Sequence, residues 1–87
     1  MSDTAAVRAL LDAVLDAIDI PFPAAAHDLD TFYSLLDRRV SLAVLTARGA
    51  LAEDPADIQW NADYLRKRLA EHPTTGYRAS RGTEAAR

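Results

Sequence analysis

No cysteine occurs among the 87 residues, which excludes disulfides, thiolate nucleophiles and cysteine-held zinc or iron–sulfur centres together. Glycine (3), proline (4) and aromatics (7%) are sparse, and alanine and leucine dominate the apolar set, a composition that favours helices over strands. No run of about 18 apolar residues exists, and the start Met1-Ser2-Asp3-Thr4 is acidic where a signal peptide would be basic. A cytoplasmic protein without membrane contact is the expectation. The three glycines stand far apart at 49, 76 and 82, so there is no glycine-rich phosphate loop. His27 and His72 lie in neither a His-x-x-x-His nor a Glu-x-x-His pattern, and no Gly-x-Ser-x-Gly turn is present. No enzyme, cofactor or metal site is expected.

What the chain does contain is a 49% hydrophobic share in a length suited to one domain. So short a chain buries a small share of its surface, so association with itself or a partner is a natural supplement to its core. The net charge of −3 hides an asymmetry. Residues 1–65 carry −7, and residues 66–87 carry +4. The two ends can attract each other or different partners.

Three helices are expected. The first runs from about Thr4 to Asp19, because Val7, Leu10, Leu11, Val14, Leu15 and Ile18 fall at helical spacing. Ser2 or Asp3 can cap it, and Ile20-Pro21-Phe22-Pro23 ends it. The second, long and central, runs from Ala24 or Asp28 to Ala52, with Gly49 able to fray its last turn. Its expected core stripe is Leu29, Tyr33, Leu36, Val40, Ala43, Val44, Ala47 and Leu51. After Asp54 as cap and Pro55 at the first helical position, the third helix runs to about His72, with Ile58, Ala62, Leu65 and Leu69 facing the core. The fold class is therefore all-α: a three-helix bundle with a long central helix over 1–73, followed by a flexible basic tail over 74–87. Tyr77 is the only candidate anchor in that tail.

Two groups of residues carry the functional expectation. Phe32, Leu35, Arg39 and Leu42 form, with Asp28 and Thr46, a second heptad-like seam in which the lone charge of Arg39 can set register between two subunits. This seam is the expected homodimer contact; the other reading of Arg39 is a stem crossing the bundle edge with its head in water. Trp60, Tyr64, Lys67 and Arg68 lie away from the core stripe of the third helix. They are the expected contact for another protein, since such residue types are enriched at interface hot spots; the other reading has Trp60 and Tyr64 packing on the second helix or on the chain's own tail. Nucleic acid is an alternative partner, through Arg66, Lys67, Arg68, Arg78, Arg81 and Arg87, although the overall acidity opposes phosphate. Asp12, Asp16 and Asp19 make one carboxylate face, but a cation site needs ligands from several elements.

The segment Leu35-Leu36-Asp37-Arg38-Arg39-Val40-Ser41-Leu42-Ala43 resembles the leucine- and arginine-rich helical segment of all-helical chorismate mutases. The resemblance covers about nine residues and implies a small helical enzyme as a third alternative. That family's further basic and acidic active-site groups have no clear counterparts in the chain, and the reading carried forward is shared helical composition. The leading expectation is a non-catalytic helical interaction module, self-associating and regulating or adapting a larger partner.

Overall fold

The computed structural model describes residues 2–79, the side chains of Ser2 and Asp3 excepted. Three α-helices follow one another: α1 (Ser2–Ile18), α2 (Leu29–Ala52) and α3 (Ile58–Leu69). Single 3-10 turns at Ala26–Asp28 and Pro55–Asp57 lead into α2 and α3. The second begins as the sequence signals, with the Asp54 side chain accepting from the Ala56 amide and Pro55 in the first turn. The all-α three-helix bundle is thus present. Among the described residues no helix is long and apolar enough to cross a membrane.

The helices run up, down and up. Val7 and Leu11 lie beside Ala47 and Leu51, and Arg39 reaches the carbonyls of residues 16 and 17, so α1 and α2 are antiparallel. The molecule measures 43 × 24 × 16 Å, and its long axis reflects α2, whose 24 residues span about 36 Å.

The core is built from Ala13, Ala17, Leu42, Ala43, Leu65 and Leu69. Leu65, Leu69 and Ala62 of α3 are buried and Ile58 half-buried, in line with the stripe read from the sequence. The stripes expected on the other two helices are only partly inside: Leu10 and Val14 of α1 and Leu29, Leu36, Val40 and Ala47 of α2 are half-buried, and Ala43 is buried. On α1 the buried positions are Ala6, Ala13 and Ala17, whereas Val7, Leu11, Leu15 and Ile18 are exposed. On α2 the buried positions are Phe32, Arg39, Leu42, Ala43 and Thr46, whereas Tyr33, Val44 and Leu51 are exposed. The cause is close approach. α1 packs most extensively on α3, and alanines at the contact let two helix axes come nearer than leucines allow.

Gly49 serves the same end. α2 continues through it to Ala52 without fraying, and a Cβ there would stand 3.3 Å from Asn61 Oδ1 of α3. Asn61 itself is buried and donates to the Asp57 carbonyl at 3.0 Å.

The chain after α3 departs from the expected tail. Residues 74–79 return to the α1–α2 connection: Ala24 N donates to Arg78 O at 2.8 Å, Tyr77 OH donates to Pro21 O at 2.6 Å, and Pro23 pairs with Ala79 in an isolated antiparallel bridge. Gly76, at φ 95°, supplies the left-handed turn that directs the chain back. The flexible segment expected from position 74 is therefore anchored through 79, by the tyrosine that was its candidate anchor. Positions 80–87, with Arg81 and Arg87, lie outside the described residues.

Candidate functional site

The expected dimer seam lies inside the molecule. Phe32 is 7%, Arg39 6% and Leu42 8% exposed, and Leu35 is half-buried. Phe32 is the hub of an aromatic cluster that closes one end of the bundle, with edge-on rings of Phe22 at 5.2 Å, Tyr33 at 5.1 Å and Tyr77 at 6.0 Å. Self-association through this seam is corrected on that ground: side chains already packed within one chain have no area left for a second. The expectation failed because periodicity locates two apolar faces on α2 without saying which one meets α1 and α3.

Arg39 accordingly has neither of its expected roles. Nε donates to Ala17 O at 2.9 Å, Nη2 to Asp16 O at 2.7 Å and Nη1 to His72 O at 2.6 Å. The first two acceptors belong to the last turn of α1, whose carbonyls have no partner within the helix, and the third lies just past α3. One guanidinium thus clips together the C-terminal ends of two parallel helices, where a positive charge opposes the negative end of each dipole. Burial lowers the Arg39 pKa from its ordinary value, while the fields of Asp16 and Tyr77 oppose that shift. The group remains charged.

The expected partner surface is assembled on α3. Trp60 and Tyr64 stack with ring planes 10° apart and centroids at 5.3 Å. Arg68 continues the ladder one turn further, its guanidinium 5.8 Å from the Tyr64 centroid, with Nη1 donating to Tyr64 OH and Nε to Glu71 Oε1. These bonds, with Tyr64 foremost, raise the Arg68 pKa. Lys67 lines the same shallow depression as Trp60 and Tyr64, and Trp60 is 61% exposed. The basic residues proposed for nucleic acid are dispersed instead. Arg66 is held by Asp16 at 2.7 Å, and Arg78 lies beside Ala24 and His27 in the connection after α1. The Asp12, Asp16 and Asp19 row contributes to no group of three potential metal ligands among the described residues.

An uncovered apolar feature is a face the sequence assigned to the core. Leu11 is 62%, Leu15 55%, Ile18 46% and Leu51 88% exposed. At one end the two helices frame an apolar depression of about 270 Å³, lined by Val7, Leu10 and Leu11 of α1, Ala47, Ala50 and Leu51 of α2, and Ile58. Beside it, Arg8 and Asp12 flank Leu11 and Leu15, and neither charge has an ion pair or hydrogen bond among the described residues. The signal for this face was present in the sequence as the cleanest helical periodicity in the chain. What periodicity could not supply was its direction. Comparison with protein-family models, with curated proteins and with solved structures found no match.

Proposed function

We propose that the protein is a small, non-catalytic helical interaction module that self-associates through the outer apolar face of α1 and α2, with a second copy of the chain as the occupant. The observation that carries this reading is the exposure of Leu11, Leu15, Ile18 and Leu51, with Leu11 and Leu51 lining one apolar depression between α1 and α2. Scattered exposed leucines need no explanation, but large apolar side chains grouped on one surface do.

Charge selects a second copy over a foreign occupant. Arg8 and Asp12 stand one turn apart beside the leucines, both without an ion pair or hydrogen bond among the described residues. A two-fold axis crossing α1 between them would set each Arg8 against the other subunit's Asp12, the self-complementary arrangement an isologous interface requires. Such a dimer leaves the Trp60–Tyr64 strip of each subunit free for a larger protein that the module regulates or adapts; the 61% exposure of Trp60 favours that second contact.

Sedimentation equilibrium tests the dimer. The wild type is expected at twice the monomer mass at high micromolar concentration, and Leu11→Asp or Leu15→Asp at monomer mass with unchanged helical circular dichroism, because like charges would meet across a desolvated contact. A wild type that stays at monomer mass refutes the reading.

A further inference from the structure

On the other flank of α2, away from the apolar face, α2 and the end of α3 enclose an open groove of about 420 Å³. Ser34, Arg38 and Ser41 fall at i, i+4 and i+7 of α2 and form one wall, Arg68 and His72 form the other, and Leu42 is the floor. The donors are uncommitted. Ser34, Arg38, Ser41 and the His72 side chain have no hydrogen bond or ion pair among the described residues. This contrasts with Thr46, one helical turn further, whose hydroxyl is tied to the Leu42 carbonyl at 2.6 Å.

Arg68 is oriented in advance. Its Nε and Nη1 are held by Glu71 and Tyr64, so the planar group is fixed with Nη2 remaining to donate. Glu71 is thereby occupied with Arg68, and Asp37 is the one carboxylate that lines the groove.

We propose that this groove binds the phosphoryl group of a small phosphorylated metabolite. One guanidinium and two hydroxyls on one wall, facing a guanidinium and an imidazole on the other, match a group with several accepting oxygens and nearly two negative charges. A carboxylate, with two coplanar oxygens and one charge, would engage fewer of them. The volume admits a ligand at the small end of the usual range, one or two carbons beyond the phosphoryl group up to a sugar phosphate. This proposal does not depend on self-association, because the groove borders α3 and the apolar face borders α1.

Titration of ¹⁵N-labelled full-length protein with inorganic phosphate, glycerol 3-phosphate and acetate, followed by amide and imidazole NMR shifts, tests it. Saturable shifts confined to the segments around residues 34–42 and 68–72, tighter for glycerol 3-phosphate than for phosphate and absent with acetate, are expected. Arg38→Ala should weaken binding at least tenfold and Ser41→Ala severalfold. Arg48→Ala, an exposed α2 arginine outside the groove, should leave it unchanged. Shifts that stay linear in phosphate concentration, the same response to acetate, or equal losses in Arg38→Ala and Arg48→Ala would overturn the proposal.

Discussion

Helix α1 carries two apolar faces about 120° apart on a helical wheel, and they meet opposite fates. The one made of Ala6, Ala13 and Ala17 is buried, and the one made of Val7, Leu11, Leu15 and Ile18 is largely open. Side-chain size would assign them the other way. The difference lies in what each face does to a neighbouring helix. Alanine admits the backbone of α3 to close range, where Leu65 and Leu69 fill the remaining space. Leucine holds a neighbour away and needs a partner whose own surface is shaped to receive it. On α2 Ala43 and Thr46 are inside together with Phe32, Arg39 and Leu42, while Val44 and Leu51 are outside. Alanines of α1 and α2 take the positions of close approach beside Leu42, Leu65 and Leu69, while Leu11, Leu15 and Leu51 stay exposed.

Substitution on the two faces should expose that contrast. The largest effect is expected inside: Leu65→Ala, at a fully buried position of the core cluster, should cost about 2–5 kcal/mol through the cavity it leaves. Ala13→Leu, which adds bulk where the helices approach, should cost about 1–3 kcal/mol. Leu11→Ala, measured at protein concentrations low enough to keep the chain monomeric, should change stability by no more than about 0.5 kcal/mol. Urea denaturation of the three variants decides it. If Leu11→Ala proves as damaging as Leu65→Ala, the leucine face is the true core.

Arg39 is the polar counterpart of the alanine face, since it too joins helix ends inside the chain. Arg39→Met keeps much of the stem volume but leaves the carbonyls of Asp16, Ala17 and His72 without their donor. A loss of about 1–3 kcal/mol is expected in the same denaturation assay. A neutral result would mean that water replaces the guanidinium and that the clip has no energetic role.

The smallest effect is expected where the returning segment meets the body. Tyr77→Phe removes the hydrogen bond to Pro21 O and should cost about 0.5–1.5 kcal/mol. The same site adds a pH dependence. Burial raises the Tyr77 pKa, partly offset by the charge of Arg39, so the folded state holds this proton more tightly than the unfolded chain does. Its contribution is complete below the ordinary tyrosine pKa of about 10 and is lost as pH rises through the raised folded value. Thermal melts between neutral and alkaline pH should fall less steeply in Tyr77→Phe than in the wild type. Parallel curves would show that Tyr77 ionises as freely folded as unfolded.

Much of this was legible in the chain. Proline at 21, 23, 55 and 73 and the Asp54-Pro55 start bounded the helices to within a few residues, because proline restricts both its own backbone and that of the residue before it. The stripe of α3 was read correctly because that helix has one apolar face and a strongly polar remainder. The aromatic and basic ladder of Trp60, Tyr64 and Arg68 followed from i, i+4 spacing alone. The groove of Ser34, Arg38 and Ser41 with Arg68 and His72 was not legible, because its walls come from two helices whose relative rotation no local pattern specifies.

The sequence by itself determined that the chain is helical, where each helix starts and stops, and which residues share a face, since these depend on backbone restrictions and on the 3.6-residue period. Only the tertiary structure decided which face of α1 and α2 turns inward and that Arg39 ends up buried across two helix termini. It also decided that residues 74–79 return to the body. Those outcomes depend on how closely whole helices can approach, and closeness is a property of pairs of surfaces brought together by folding, absent from any single stretch of chain.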